Sequence, residues 1–413
     1  MISWAEVAIP PIEGRFNIPQ LHLMNTSSHA VEALEVKNHY RMYVCGITPY
    51  DATHLGHANT YLTFDLINRY LRATGAQVSF VENITDIDDP LLERANRDGV
   101  DWIELAHAQI ELFRSNMVGL HILPPKDYIG AVEAIPLVTD SIEILQRAGS
   151  VYLVEKDLYF SVKSDPEFGE RSHLSESAML EIFAERGGDP SRLGKKDPLD
   201  ALLWLSQRPQ EPGWPSPFGD GRPGWHIECC AIALHYLAPH PDDEFSIDIQ
   251  GGGSDLIFPH HEMSAAQARV LTGKRFARFF VHAGMIGLDG EKMSKSKGNL
   301  VFVSKLIEQG IDPMVIRLAL LSHKYSADHM WHPSEIDQAQ ELFDLLRLHL
   351  SRMEVAPTDK TIEGIITSLS NDLDTPMAIE ELKKWVNETE NGKVGGHPGE
   401  LSRVIDALLG IAF

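Results

Sequence analysis

The chain has 413 residues, of which 43% are hydrophobic and 23% are charged, and 59 acidic against 36 basic side chains give a formal charge of −23. This length predicts two or three domains, and the composition is typical of a soluble globular enzyme. The acidic excess argues against broad, non-specific binding of nucleic acid phosphates. The sequence contains no run of 18 or more apolar residues, so no membrane span is expected.

Cysteine is rare in the chain, which contains only Cys45, Cys229 and Cys230. Three cysteines exclude a disulfide framework and suit a reducing compartment. Met1–Gln20 lacks the basic segment and the apolar segment that together make a secretion signal. Both observations predict a cytoplasmic protein.

The first clear structural pattern is a strand, a helix and a second strand. Residues 1–39 are predicted to be irregular, and Arg41–Ile47 reads as a buried strand. Apolar residues then recur at helical spacing over 62–71, and Gln77–Ile84 reads as a second strand. Such a βαβ unit predicts a parallel, doubly wound α/β sheet.

The rest of the chain predicts an insertion, the return of the sheet and a helical end. Helix and strand signals are mixed over 116–222, Phe245–Gln250 and Phe279–Ile286 read as later strands, and the pattern from Pro333 onward is helical. The predicted parts are an N-terminal extension (1–40), a catalytic domain (41–115 and 223–290), an insertion (116–222), a lysine-rich loop with connecting helices (291–332) and a helical bundle (333–413).

Two histidines follow the first predicted strand in the pattern HxGH. His54 and His57 are three residues apart, so they share a face if the helix has begun there. A helix N-terminus offers unpaired N–H groups and positive potential to a triphosphate, and Gly56 permits close approach of a nucleotide to the backbone. On its own the pattern equally fits two surface histidines near a helix start.

A lysine-rich stretch, KMSKSKGN, follows the last predicted strand. Lys292 and Lys295 lie in this Lys292–Asn299 stretch and could stabilise a leaving pyrophosphate. Lysines alone would more often make a solvated basic loop. Taken together, HxGH and KMSKS in this order resemble the signature pair of class I aminoacyl-tRNA synthetases, which implies ATP as a substrate with Mg²⁺. Gly251–Asp255, at a predicted strand end, then becomes a candidate part of the adenosine pocket.

The cysteines and histidines of the chain are scattered, so their spacing alone is weak evidence for a metal site. The chain from Leu21 to about Leu350 is similar to cysteinyl-tRNA synthetase, a resemblance carried by MYVCGITPYD, NITDIDD and the stretch around Cys229. The resemblance implies one Zn²⁺ per chain bound by Cys45, Cys229 and His260. Zinc with an open position prefers a thiolate to a hydroxyl, which would separate cysteine from serine.

The same resemblance implies the catalytic and binding residues. The catalytic set is His54, His57, Lys292 and Lys295. The set implied to bind the nucleotide and the cysteine is Cys45, Gly46, Ile47, Thr48, Thr60, Asn83, Ile84, Thr85, Trp225, Gly253, Ser254, Asp255 and Ile286. Cys230 and His261 fall beside the implied ligands and are expected to pack behind them.

The chain departs from the synthetase pattern at several positions. Ser264 replaces a glutamate that ligates zinc in the synthetase, Gln250 replaces a histidine, and the chain reaches Phe413 without the part that reads the anticodon. The ERGGDP stretch at Glu185–Pro190 and ITPYD at Ile47–Asp51 resemble the L-cysteine ligases of mycothiol biosynthesis. That resemblance implies a ligase that joins L-cysteine to the amine of glucosaminyl-inositol through cysteinyl-adenylate.

The implied partners are therefore L-cysteine, ATP and glucosaminyl-inositol, with no tRNA and no membrane, and the expected state is a monomer. Two alternatives stay open. One is a cysteinyl-tRNA synthetase with a reduced C-terminus, and the other is a non-catalytic protein that senses adenylate or zinc. The sequence names neither the base for the acceptor amine nor the residues that bind the amino sugar.

Overall fold

A computed structural model of the chain describes residues 1–51, 53–288, 290–292 and 299–413, with the backbone alone at 291 and 292. The strands are β1 (His22–Asn25), β2 (Ala30–Ala33), β3 (His39–Val44), β4 (Gln77–Ile84), β5 (Asp127–Gly130), β6 (Val151–Val154), β7 (Asp157–Phe160), β8 (Ala201–Ser206), β9 (Gly221–Pro223), β10 (Phe245–Gly253), β11 (Arg275–Ala283), β12 (Ile286–Leu288), β13 (Glu291–Lys292) and β14 (His329–Trp331).

Helices alternate with these strands in the part of the chain that the structure describes. They are α1 (Leu55–Ala73), α2 (Asp89–Asp98), α3 (Trp102–Gly119), α4 (Ile135–Arg147), α5 (Glu176–Glu185), α6 (Trp225–Tyr236), α7 (Glu262–Thr272), α8 (Val303–Glu308), α9 (Pro313–Leu321), α10 (Ser334–Leu350), α11 (Asp359–Ser370), α12 (Thr375–Glu390) and α13 (Pro398–Val404). Within the described residues, no helix has the length and apolarity needed to cross a membrane.

The central sheet is parallel and doubly wound, as predicted. Its strand order is β11-β10-β3-β4-β5, and every neighbouring pair is parallel. The chain moves outward from β3 through β4 to β5, whereas β10 and β11 extend the sheet in the other direction. The order therefore reverses between β3 and β10, and ligands of open α/β sheets bind beyond the carboxyl ends of the strands at such a point.

Three local predictions differ from the structure. Residues 1–39 contain the hairpin β1–β2, which was missed because each strand has only four residues of mixed polarity. The run Phe279–Ile286 is not one strand, since Gly284 and Met285 leave the sheet to bond with Tyr325 and Asp328. Residues 127–130 fall within the predicted insertion but form β5 of the central sheet. Four residues are too short a run to show a period of their own.

The remaining part of the predicted insertion contains its own sheet. Strands β6, β7, β8 and β9 form an antiparallel sheet, with β9 leading directly into α6. The chain after residue 333 is helical through α10–α13, and a π-helical turn at Ile405–Leu409 extends α13. Its core includes Trp385, Leu382 and Leu346, all fully buried.

A buried group of charged residues joins this helical end to α1. Asp65 accepts from Arg69 Nε at 2.8 Å and also from Arg317, and all three side chains are fully buried. Arg317 Nε donates to the Leu409 carbonyl at 2.6 Å, and Arg69 Nη1 donates to that of Asp406 at 2.8 Å. We call Asp65, Arg69 and Arg317 the charge cluster.

Candidate active site

A cavity of about 780 Å³ lies beyond the carboxyl ends of β3 and β10. One part of its wall is formed by the HxGH turn, the end of β10 and the β11–β12 connection. Another is formed by the chain after β3 and the start of α6. The lining includes these sequence-predicted residues: Cys45, Gly46, Ile47, Thr48, His54, His57, Thr60, Trp225, Gly253 and Asp255.

His54 caps the helix that carries His57. Its Nδ1 accepts from the backbone N–H of Gly56 at 3.1 Å and of His57 at 3.4 Å. Because Nδ1 accepts, the neutral ring carries its proton on Nε2. The two imidazole rings stack with their centroids 3.7 Å apart, so the predicted common face of the two histidines is present.

The backbone beside HxGH is bonded to the chain that follows the lysine-rich loop. Leu55 N donates to Val301 O at 2.9 Å, and Val303 N donates to Thr53 O at 3.0 Å. The chain preceding the loop pairs β13 with β12 at Gly287. Lys295 lies outside the described residues, and only the backbone of Lys292 is described, so both catalytic roles stay predictions.

Three side chains from distant parts of the sequence form a cluster suited to a metal ion. The ligand atoms of Cys45, Cys229 and His260 all lie within 4.8 Å of one another, and all three residues are buried. Cys45 follows β3, Cys229 lies on α6 and His260 lies in the irregular turn between β10 and α7. We call these residues the ligand cluster.

The environment of His260 leaves one ring nitrogen available. Nδ1 lies 3.0 Å from Nδ1 of His226, whereas the buried Nε2 has no hydrogen-bond partner within the described part of the chain. Trp225 stacks on the ring with centroids 4.3 Å apart. Burial, assisted by His226, lowers the pKa of His260 well below its usual value and keeps the imidazole neutral, as a metal ligand must be.

The Cys45 sulfur disfavours ionisation of the buried Cys229 thiol, and a bound metal ion would relieve this. Burial and the adjacent Cys45 sulfur raise the pKa of the Cys229 thiol well above its ordinary value. A divalent cation would lower the pKa of Cys229 again, because it stabilises thiolates. Two sulfurs and one imidazole nitrogen are a donor set that suits zinc.

A line of hydrogen bonds behind the ligand cluster holds Cys45 in place. Gln250 Nε2 lies 3.4 Å from Cys45 Sγ and 3.0 Å from His261 Nε2. His261 Nδ1 lies 2.7 Å from His282 Nε2, and His282 Nδ1 lies 2.8 Å from Thr26 Oγ1. Second partners of this kind orient ligands and tune a metal.

Ser264, at the position of the synthetase glutamate, is directed away from a ligand role. Its hydroxyl donates to the backbone carbonyl of His226 at 3.1 Å.

A second buried network supports the floor of the cavity. Asn83 Oδ1 accepts from Gly46 N at 2.9 Å, and Asn83 Nδ2 donates to Glu228 at 2.9 Å. Thr85 donates to the same carboxyl oxygen at 3.0 Å. A Cβ on Gly46 would lie 1.7 Å from the Asn83 carbonyl oxygen, so only glycine permits this approach. Burial raises the pKa of Glu228 well above its usual value.

The structure does not bring every predicted binding residue to the cavity. Among the described residues, the lining omits Asn83, Ile84, Thr85, Ser254 and Ile286. Two of these, Asn83 and Thr85, hydrogen-bond to Glu228, and Asn83 also accepts from Gly46 N. The binding roles of all five residues stay predictions.

Sequence reasoning missed a whole wall of the cavity. This wall consists of the start of α2, strand β9, the ERGGDP loop and the adjoining residues of α5 and β7. It includes Asp88, Asp89, Glu93, Tyr159, Phe183, Arg186, Gly187, Gly188, Asp189, Arg192 and Arg222. The only available signals were the acidic end of NITDIDD and the ERGGDP stretch, neither of which names a contact.

Comparison with known proteins gives a family and a fold. A family model described as tRNA synthetases class I (C) catalytic domain matches residues 31–341. Proteins from Thermomonospora curvata and Kribbella flavida, both named L-cysteine:1D-myo-inositol 2-amino-2-deoxy-alpha-D-glucopyranoside ligase, are 50% and 52% identical to the chain. In both comparisons the match covers 100% of the chain and 100% of the relative.

Solved structures resemble the chain in fold. A Mycobacterium tuberculosis methionyl-tRNA synthetase in complex with methionyl-adenylate aligns with a TM-score of 0.64 at 17% identity, over 90% of this chain and 88% of that one. The LeuRS of an Agrobacterium radiobacter K84 ternary complex with tRNA aligns with a TM-score of 0.62 at 12% identity, over 91% and 84%.

Proposed function

The chain belongs to the family of class I (C) tRNA synthetase catalytic domains, in its branch of L-cysteine:1D-myo-inositol 2-amino-2-deoxy-alpha-D-glucopyranoside ligases, and on that premise we propose the reaction that it performs. It is an ATP-dependent ligase. We propose that it activates L-cysteine as cysteinyl-adenylate and transfers the cysteinyl group to the amine of glucosaminyl-inositol. The observation that carries the proposal is that Cys45 of the ligand cluster and the HxGH histidines line one cavity.

In the first step the cysteine carboxylate attacks the α-phosphate of ATP, which enters with Mg²⁺, and pyrophosphate leaves. His54 and His57 lie at the N-terminus of α1, where N–H groups and the helix dipole favour phosphate. His54 Nε2 carries the ring proton and can donate it in a hydrogen bond to a phosphate oxygen. Lys292 and Lys295 are proposed to stabilise the leaving pyrophosphate.

The ligand cluster is proposed to hold one zinc ion, with Cys45, Cys229 and His260 Nε2 as ligands. Bound zinc would supply selectivity, because it prefers the soft sulfur of cysteine to the hydroxyl of serine. Gln250 and His261 would keep Cys45 oriented, and Trp225 would hold the ring plane of His260.

In the second step the acceptor amine attacks the acyl carbon of cysteinyl-adenylate, the C–N bond forms, and AMP leaves. An amine is a stronger nucleophile than a ribose hydroxyl, so a synthetase-type site needs little change to use it.

The test offers the purified protein ATP and cysteine, first without an acceptor and then with glucosaminyl-inositol or tRNA. We expect cysteine-dependent ATP–pyrophosphate exchange without an acceptor, and an amide of the amino sugar by mass spectrometry. Serine in place of cysteine is the matched control and should support neither reaction. Charging of tRNA with no amide would overturn the proposal in favour of a synthetase, and the absence of exchange would exclude the adenylate.

A further inference from the structure

One wall of the cavity is used by neither the nucleotide nor the cysteine in the function proposed above. It is the wall formed by the start of α2, strand β9 and the ERGGDP loop, and we call it the acceptor wall. Its cavity-lining residues include Asp88, Arg222 and Arg186–Asp189. Three features of this wall suit a ligand: a carboxylate with a spare acceptor oxygen, a guanidinium with a spare donor, and a loop that is fixed in place.

The first feature is the carboxylate of Asp88, which caps α2. Its Oδ1 accepts from the backbone N–H of Asp89 at 2.7 Å, and it makes no other side-chain hydrogen bond within the described residues. Its second carboxylate oxygen is therefore available to the cavity. Burial is the main cause that raises the pKa of Asp88 to about 6, which suits a group that takes up a proton near neutral pH.

The second feature is the guanidinium of Arg222, whose side chain is only 7% exposed. Its Nη2 donates to Asp89 and, at 3.2 Å, to Glu211. The buried Nε has no hydrogen-bond acceptor in the part of the chain that the structure describes. A buried guanidinium donor without an acceptor is costly unless a ligand supplies one.

The third concerns the ERGGDP loop, which joins this wall to the turn that carries His260. Arg186 Nη1 donates to the Phe258 carbonyl at 2.5 Å. Asp189 accepts from the Tyr159 hydroxyl and, at 3.0 Å, from Lys195 Nζ. The loop is thus held by partners on both sides, and it places the acceptor wall next to the ligand cluster.

We propose that the acceptor wall binds the amino sugar, with Asp88 as the base that takes a proton from its ammonium group and Arg222 Nε donating to one of its hydroxyls. This proposal rests on the proposed function. An aminated polyol matches the wall chemically, since it brings one cation for the carboxylate and many hydroxyl oxygens for the guanidinium.

The proton and electron balance of the transfer is complete. The ammonium group gives one proton to the Asp88 carboxylate, and the resulting lone pair forms the C–N bond. The acyl C–O bond to phosphate then breaks and AMP leaves with its electron pair. The amide nitrogen loses its second proton to the leaving phosphate.

The charged and titratable groups that face Asp88 come from three parts of the chain. Asp89 and Glu93 of α2 raise its proton affinity, whereas Arg222 of β9 lowers it. Tyr50, in the turn after β3, faces it as well. These groups are unchanged in the variants at Asp88, so a change in their pH profile reports on Asp88 itself.

The decisive variant is Asp88→Asn, because asparagine caps helices as well as aspartate and keeps the bond to Asp89 N. We expect cysteine-dependent ATP–pyrophosphate exchange within about twofold of the parent, since exchange needs no acceptor. Single-turnover transfer to glucosaminyl-inositol at pH 7 should fall about 10²–10⁴-fold, the usual contribution of a positioned base. The deficit should shrink as pH rises, because the amine then loses its proton to water.

The matched control is Asp98→Asn, which removes the same charge from the exposed far end of α2, where Asp98 pairs with Arg94 and Arg97. Both half-reactions should be unchanged in it. Asp88→Glu should recover part of the transfer rate. In a separate variant, Arg222→Lys should raise the KM for the amino sugar while leaving that for cysteine unchanged.

Transfer by Asp88→Asn at the parental rate would overturn the proposal. So would an equal loss of exchange and transfer, or a transfer deficit that is the same at every pH. If the unaltered protein makes adenylate but no amide, the proposed function fails, and this result is distinct from any result of the variants.

Discussion

Two buried polar clusters of this molecule differ in whether the chain supplies all of their hydrogen-bond partners. In the charge cluster, Asp65 lies between Arg69 and Arg317, and every side-chain nitrogen of both arginines donates to an acceptor within the chain. In the ligand cluster, His260 Nε2 has no partner among the described residues, although the residue is fully buried.

The pKa shifts of the two clusters differ in the same way. Burial alone would raise the pKa of Asp65, but Arg69 and Arg317 reverse this, so it lies below its usual value and the cluster stays charged. Burial and the Cys45 sulfur raise the pKa of Cys229, and the opposing hydrogen bond with Tyr43 is too weak to reverse this. Burial alone therefore does not distinguish the two clusters. The difference is whether the chain itself supplies all the partners.

The largest expected effect is the loss of the metal from Cys229→Ser. If the proposed ligand set is right, one of three ligands disappears and the remaining two hold zinc poorly, so zinc content should fall from about one per chain to almost none. Elemental analysis of the purified protein measures this. Cys230→Ser changes the next residue, which lies outside the ligand cluster, and should retain its zinc. Full zinc in Cys229→Ser would remove that residue from the ligand set.

The charge cluster should respond in stability and not in metal content. Arg317→Met leaves buried carbonyls at Leu120 and Leu409 without their donor, and unfolding free energy should fall by about 3–5 kcal/mol. Urea denaturation measures the loss. Arg347→Met, at an exposed site on α10, should cost less than about 0.5 kcal/mol. Equal stability of the two variants would contradict the structural role.

A smaller effect is expected from the bonds behind the ligand cluster. His282→Leu removes the partner of His261 Nδ1, and zinc affinity should fall about 10–100-fold. Competition with a chelator of known affinity measures the change. His282→Gln keeps a polar atom at this position and should lose less. Unchanged affinity in both variants would show that these bonds do not reach the ligand cluster.

The smallest expected effect is that of Ser264→Ala. The variant loses one hydrogen bond to the His226 carbonyl, so unfolding free energy should fall by about 1 kcal/mol and zinc affinity should stay the same. Denaturation and chelator competition together check both parts. A drop in zinc affinity would show that Ser264 contributes to the metal site after all.

The sequence predicted what depends on local pattern. Gln77–Ile84 has the bounds of β4, because its four apolar residues, three of them β-branched, favour a strand. The HxGH turn was placed correctly between a strand and its helix. The ligand cluster came from family resemblance, since Cys45, Cys229 and His260 are too far apart along the chain for any spacing rule to join them.

The missed features depend on contacts between distant segments. His282 lies 21 residues from His261 and meets it only because β10 and β11 pair with His282 opposite Gly252. Asp88 is positioned by α2, whereas its neighbour Arg222 lies on β9, 134 residues further along the chain. Short strands such as β5 show no period of their own, so their place in the sheet follows from pairing alone.

The charge cluster also has a consequence for the order in which the chain folds during synthesis. Arg69 donates to the carbonyl of Asp406, which follows it by 337 residues. At a translation rate of about 5–20 residues per second, the ribosome needs roughly 20–70 s to supply that acceptor after Arg69 is made. Until then Arg69 on α1 lacks one of its acceptors. We therefore expect chaperones to stay bound longer to nascent chains that end before Asp406 than to complete chains.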